Sequence, residues 1–165
     1  MASRQTLGVW TALNNEPPAS NFATFDTRNA HAVLDFDATT DEEAVFRGVM
    51  PANYAGNGIT LKLHFMATSA TSGNGVWQAA FEALSAQDRD SDGFASFQSS
   101  GQVAVSGTSG VESIATITFT SGAQMDSVAA GEEFRLKIRR DADNTSATDD
   151  ATGDLEFTLL EMRET

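Results

Sequence analysis

Apolar and polar residues alternate with a period of two along most of this chain, the pattern of strands that bury one face and wet the other. In GITLKLHFM, Ile59, Leu61, Leu63 and Phe65 share one side, while Thr60, Lys62 and His64 share the other. IATITFT repeats the pattern with Ala115, Ile117 and Phe119 inward, and its outward threonines suit a pleated surface. EEFRLKIRR sends Phe134, Leu136 and Ile138 in and Glu133, Arg135, Lys137 and Arg139 out. GDLEFTLLEM groups Leu155, Phe157 and Leu159 on one face. AVLDFD, EAVFRGVM and GQVAVSG read as further strands, separated by turns rich in Gly, Asn, Asp, Ser and Thr.

One segment fits both periods. In GVWQAAFEALSAQD, Trp77, Phe81 and Leu84 make a helix face, whereas Trp77, Ala79, Phe81 and Ala83 make a strand face. Its alanines favour helix, but the TSATSGNG before it and the strands on both sides favour a sheet partner, so a strand is expected. That gives roughly eight strands from residue 31 onward and no convincing long helix, which predicts an all-β fold: an antiparallel β-sandwich of jelly-roll type over residues 31–165. Residues 1–30 are expected to form an extended N-terminal arm, because Pro17 and Pro18 bar helix and central strand there. Such an arm would lie along a surface, as on a neighbouring subunit.

Composition narrows the partners. With 165 residues the chain forms one domain able to bury its own core, and with no cysteine it has no disulfide, thiolate nucleophile or cysteine zinc site. No segment approaches membrane-spanning length, and MASRQTLGVWTALNN lacks the apolar run of a signal peptide, so a soluble protein made without cleaved targeting is expected. The net charge of −13 repels a phosphate backbone; neither nucleic acid nor a membrane is an expected partner.

Candidate chemistry is sparse. His31 and His64 sit apart with no HExxH or similar pairing, and no G-x-S-x-G elbow occurs. Paired carboxylates across a cleft need no fixed spacing, yet sugar-cleaving sites usually offer aromatics to stack on rings. Here Trp10, Trp77 and Tyr54 are the only tryptophans and tyrosine, with Trp77 on a core face. A non-enzymatic role is expected.

The run DRDSDG places Asp88, Asp90 and Asp92 before Gly93, as an EF-hand loop begins. The twelfth position is Ser99 rather than a carboxylate, and flanking helices are lacking, so a true EF-hand is rejected. Two readings stay open: a calcium site formed by Asp88, Asp90 and Asp92 and completed by Asp141, Asp143, Asp149 and Asp150, or solvated turns stabilised by local Asp hydrogen bonds. In FRGVMPANYAGNG, the Tyr54 hydroxyl is expected to pin a corner and Arg47 to pair with a carboxylate such as Asp35 or Asp37.

VLDFDATTDEEAVFRGVMPANYAGNGITLKLHFMATSATSGNGVWQAAFE, with the closing GDLEFTLLEM, resembles a group of small β-rich structural proteins of tailed bacteriophages: jelly-roll capsid decoration (cement) proteins and related fibre or spike domains. The likeness covers roughly half the chain and carries no catalytic signature. It implies a virion structural protein, made in the host cytoplasm, that binds the major capsid protein on the capsid exterior as a homotrimer and clamps capsomers with its arm. The alternative it implies is a fibre or spike jelly roll that recognises a receptor or glycan. That reading expects exposed aromatics near the acidic loops, where Phe94 and Phe97 are the candidates.

Overall fold

The computed structural model describes residues 5–165. It contains ten strands: β1 (Thr6–Thr11), β2 (Thr24–Arg28), β3 (His31–Phe36), β4 (Glu43–Val49), β5 (Ile59–Ala67), β6 (Asn74–Ala83), β7 (Gln98–Ala104), β8 (Ser113–Phe119), β9 (Glu133–Arg140) and β10 (Leu155–Glu164). The helical pieces are single 3-10 turns at Ala12–Asn14 and Ala123–Met125. All strand pairs are antiparallel. One sheet of six strands runs β2-β3-β10-β5-β8, with β1 also on β10; the second runs β4-β9-β6-β7. The chain is thus an all-β antiparallel sandwich of jelly-roll type, as the alternation predicts.

The inward residues of β5, β8 and β9 are those the period selects. Ile59, Leu61, Leu63, Phe65, Ala115, Ile117, Phe134, Leu136 and Ile138 are all fully buried. Edge-to-face aromatic contacts tie the sheets together: Phe36 meets Trp77 at 4.9 Å, and Phe81 meets Phe119 at 4.9 Å. The ambiguous segment is strand β6. Both its faces are buried, because Gln78 and Glu82 on its outer side bond to Arg139 and Arg135. That two-sided burial is why its alanines mimic a helix.

Two expectations need correction. Among the described residues, 5–30 do not form an extended arm apart from the sandwich, and residues 1–4 of the expected arm lie outside the described residues. β1 pairs with β10, β2 pairs with β3, and Leu7, Trp10 and Ala12 enter the core. The indole of Trp10 donates to the Arg47 carbonyl at 3.0 Å. Pro17 and Pro18 lie where the chain crosses from β1 to the edge of β4, and Glu16 and Ala23 donate to the carbonyls of Val45 and Glu43 on either side of them. The second correction concerns Leu159. A bulge in β10 between Phe157 and Leu159 shifts the phase, so Leu160 and Met162 turn inward and Leu159 turns out.

Candidate functional site: a cleft beside the bulge of β10

A cleft opens beside the bulge. On one edge of β10, β3 pairs with Leu155–Phe157 and β1 with Leu159–Arg163, so two strands compete for one edge and separate at Thr158. The β2–β3 hairpin turns at Asn29 and Ala30, both with positive φ (47° and 65°), the geometry of a two-residue primed turn. Its tip forms one wall of a cleft of about 790 Å³, and the segment around Ser109 and Gly110 forms the other. Leu13, Ala32, Met66 and Leu159 supply apolar lining.

The polar groups come from remote parts of the chain. Glu112 accepts from the Thr158 hydroxyl at 2.6 Å, and its other oxygen lies 3.2 Å from His64 Nδ1. Burial pushes the Glu112 carboxyl up, but the bonds from Thr158 and His64 outweigh it and hold the group below its ordinary value. His31 lines the cleft, while His64 reaches it only through its bond to Glu112, so the histidines that look isolated in sequence are both tied to this site.

Arg28 joins the walls. Its guanidinium donates to Glu156 at 2.7 Å, to the Ala67 carbonyl at 2.9 Å and to Ser109 Oγ at 3.0 Å. Gly110 (φ +79°) passes flush over that guanidinium, and a Cβ there would come within 2.9 Å of it. Below, Asp35 on β3 stands directly opposite Glu156 on β10. One Asp35 oxygen is buried with no partner, and burial, then the neighbouring Glu156, raises its pKa to about 6.

The acidic loops lie elsewhere. The Asp88 carboxylate accepts from the Asp90 amide at 3.1 Å and its carbonyl accepts from Asp92 at 2.8 Å, while Asp88 and Asp90 are exposed. Asp88 therefore builds its own turn. In the pairing of β6 with β9, Ala83 faces Phe134 and Trp77 faces Arg140, so the Asp88 loop and the loop after Arg140 leave opposite ends, about 20 Å apart. Asp141, Asp143, Asp149 and Asp150 are thus not placed to complete a site with Asp88, Asp90 and Asp92.

Among the described residues, Asp41, Asp141 and Asp143 are the acids near enough to share one cation. Their oxygens already have work: Asp141 accepts from Thr145 and Ser146, and Asp41 pairs with Arg139 at 3.1 Å. Asp149 is bonded to Arg140 at 2.6 Å, and Asp150 accepts from the Asn74 amide at 2.6 Å. Sequence reasoning passed over Arg140, although it falls in the core phase of β9 with Ile138, which in a strand already signals a buried partner.

Tyr54 does pin its corner, donating to the Asn57 carbonyl. Arg47 pairs with Glu133 rather than Asp35 or Asp37, because β4 lies beside β9 in the other sheet. Trp10, Trp77 and Tyr54 are all buried. Phe94 and Phe97 are half-buried on the second sheet, under Lys137 (4.4 Å) and Arg139 (4.1 Å), so cations already cover their rings.

No family model matches the chain, and no curated protein matches it. Solved structures do resemble it. A carbohydrate-binding module (CBM6cm-2) from Cellvibrio mixtus lichenase 5A, in complex with cellotriose, superposes with TM-score 0.54 at 8% identity, covering 98% of this chain and 99% of that one. The CBM36-1 domain of a multidomain xylanase from the hindgut metagenome of Trinervitermes trinervoides gives 0.50 at 6% identity and 94% of both chains. A family GH115 4-O-methyl-α-glucuronidase gives 0.52 at 9% identity, this chain spanning 18% of that enzyme. The likeness is one of fold: a jelly-roll sandwich matched over nearly its whole length by single modules taken from larger enzymes.

Proposed function

We propose that the chain is a non-catalytic jelly-roll module that recognises a glycan or receptor through the cleft beside the β10 bulge. The observation that carries this reading is the cleft itself, where an apolar lining of Ala32, Met66 and Leu159 meets hydrogen-bonding groups at His31 and Glu112. A sugar presents the complementary surface, with C–H faces for the lining and hydroxyls for the rim. The end-to-end correspondence with modules described as carbohydrate-binding supports the same class. Aliphatic contacts replace the aromatic platform that Trp10, Trp77 and Tyr54 cannot offer, so affinity for a single sugar is expected to be modest.

Hydrolysis does not suit these groups. A general acid needs a raised pKa and access to substrate. Glu112 borders the cleft but is shifted downward. Asp35 is shifted upward, but its neighbour Glu156 is buried beneath Arg28.

A second reading is a structural protein of a phage capsid surface, as the sequence resemblance implies. The observation in its favour is the set of exposed aliphatic residues around the same face, Val9, Leu13, Val111 and Ile114, which suits a protein partner. Retention on immobilised polysaccharides tests the first reading, and co-sedimentation with shells of the major capsid protein tests the second. Binding to shells with no retention on any glycan would replace the first with the second.

A further inference from the structure

We propose that Asp35 and Glu156 form a proton-operated clasp that sets how firmly Arg28 holds the two walls of the cleft together. The inference rests on the reading of that cleft as the binding site, and concerns its regulation.

Asp35 and Glu156 are direct cross-strand partners, a position in which side chains approach to about 5 Å and like charges oppose pairing. The Arg28 guanidinium bonds to Glu156, while one Asp35 oxygen is buried with no partner. The remaining charged groups that act on Asp35 are all acidic: Asp26 on β2, Asp154 ahead of β10 and Glu42 ahead of β4. With a proton on Asp35, the carboxyl has a hydrogen to offer its neighbour, the Glu156–Arg28 pair is neutral, and Arg28 stays bonded to Ala67 and Ser109. Without it, two carboxylates face each other across the β3–β10 pair, where β3 is already about to leave β10 at Thr158. Separating β3 from β10 relieves that repulsion, and it carries the hairpin tip and Arg28 away from Ser109 and Gly110. The tip and that segment are the two walls. The clasp is therefore closed at mildly acidic pH and loosened above about 6, where Asp35 titrates.

The test needs no ligand. The Asp35 side-chain carboxyl and the amides of Ser109 and Gly110 are followed by NMR from pH 4 to pH 8. The expected result is a carboxyl midpoint near 6 with the Ser109 and Gly110 signals moving at the same midpoint. Asp35→Asn is expected to remove that step from both amides. Glu156→Gln, which keeps the shape and removes the repulsion, is expected to lower the Asp35 midpoint toward the ordinary 3.8. Ser109 and Gly110 signals that ignore the Asp35 step, or an Asp35 midpoint near 3.8 in the wild type, would overturn the proposal. Failure to bind any glycan would remove the glycan reading and leave these outcomes for the clasp unchanged.

Discussion

Arg140 and Asp149 meet at 2.6 Å with both side chains sealed from solvent. Arg140 also donates to the carbonyls of Ala151 and Gly153, while Asp149 accepts from the Val76 amide, so one buried pair moors the loop after β9 to the start of β6. Removing one partner strands the other charge in the core. Arg140→Met is expected to cost about 3–5 kcal/mol in urea denaturation. Arg140→Met with Asp149→Leu should recover part of that loss, which a double-mutant cycle would read as coupling. A single-mutant cost below about 1 kcal/mol would show that the pair is not what holds this loop.

Asp141 staples the same loop from within. Burial raises its carboxyl pKa, but bonds from Ser146 and Thr145 hold it well below the ordinary value. A depressed folded pKa gives stability that is present at neutral pH and lost only as pH falls below the unfolded value of 3.8. Asp141→Asn should lose about 1–3 kcal/mol at pH 7. The deficit should shrink in strong acid when melts are compared across pH.

Asp35 has the opposite sign. Its raised pKa means that the folded state binds more protons than the unfolded chain between 3.8 and about 6, so its contribution weakens stability as pH rises through that window. Asp35→Asn should raise the melting temperature at pH 7.5 by ~2–4 °C if the relief is near 1 kcal/mol. The gain should vanish near pH 4. A variant less stable at pH 7.5 would indicate that the charged form of Asp35 makes a bond that offsets its burial.

Calcium separates the two readings of the acidic loops. The oxygens of Asp41 and Asp141 are engaged, and Asp88 closes its own turn. Millimolar calcium is therefore expected to leave the melting curve in place, and chelation to do the same. A rise of several degrees that Asp88→Ala abolishes would assign a ligand role to Asp88, Asp90 and Asp92; loss of the rise in Asp143→Ala would assign it to the other loop.

The fold was legible where one face of a strand is buried and the other wet, as in β5, β8 and β9. It was hidden where that condition fails. β2 is exposed along nearly its whole length, so Thr24–Arg28 carries no apolar phase, and β1 interrupts its own with Gly8. The bulge at Thr158 adds one residue and reverses the face of everything after it, and local alternation gives no warning of that. The cleft was illegible for a related reason. His64, Glu112 and Thr158 are 48, 46 and 94 residues apart in pairs, and only the pairing of β5 with β8 and β10 brings them together. The Arg47 partner was missed likewise, since alternation reveals which way a side chain points but not which strand lies beside it.

The most direct test is retention of the wild-type chain, His31→Ala and Glu112→Gln on a panel of immobilised polysaccharides, with the bound sugar assayed for cleavage. The account predicts retention on at least one glycan, no release of reducing ends, and loss of retention in both cleft variants while their melting curves match the wild type. Retention untouched by both substitutions, or sugar cleavage by the wild type, would contradict it.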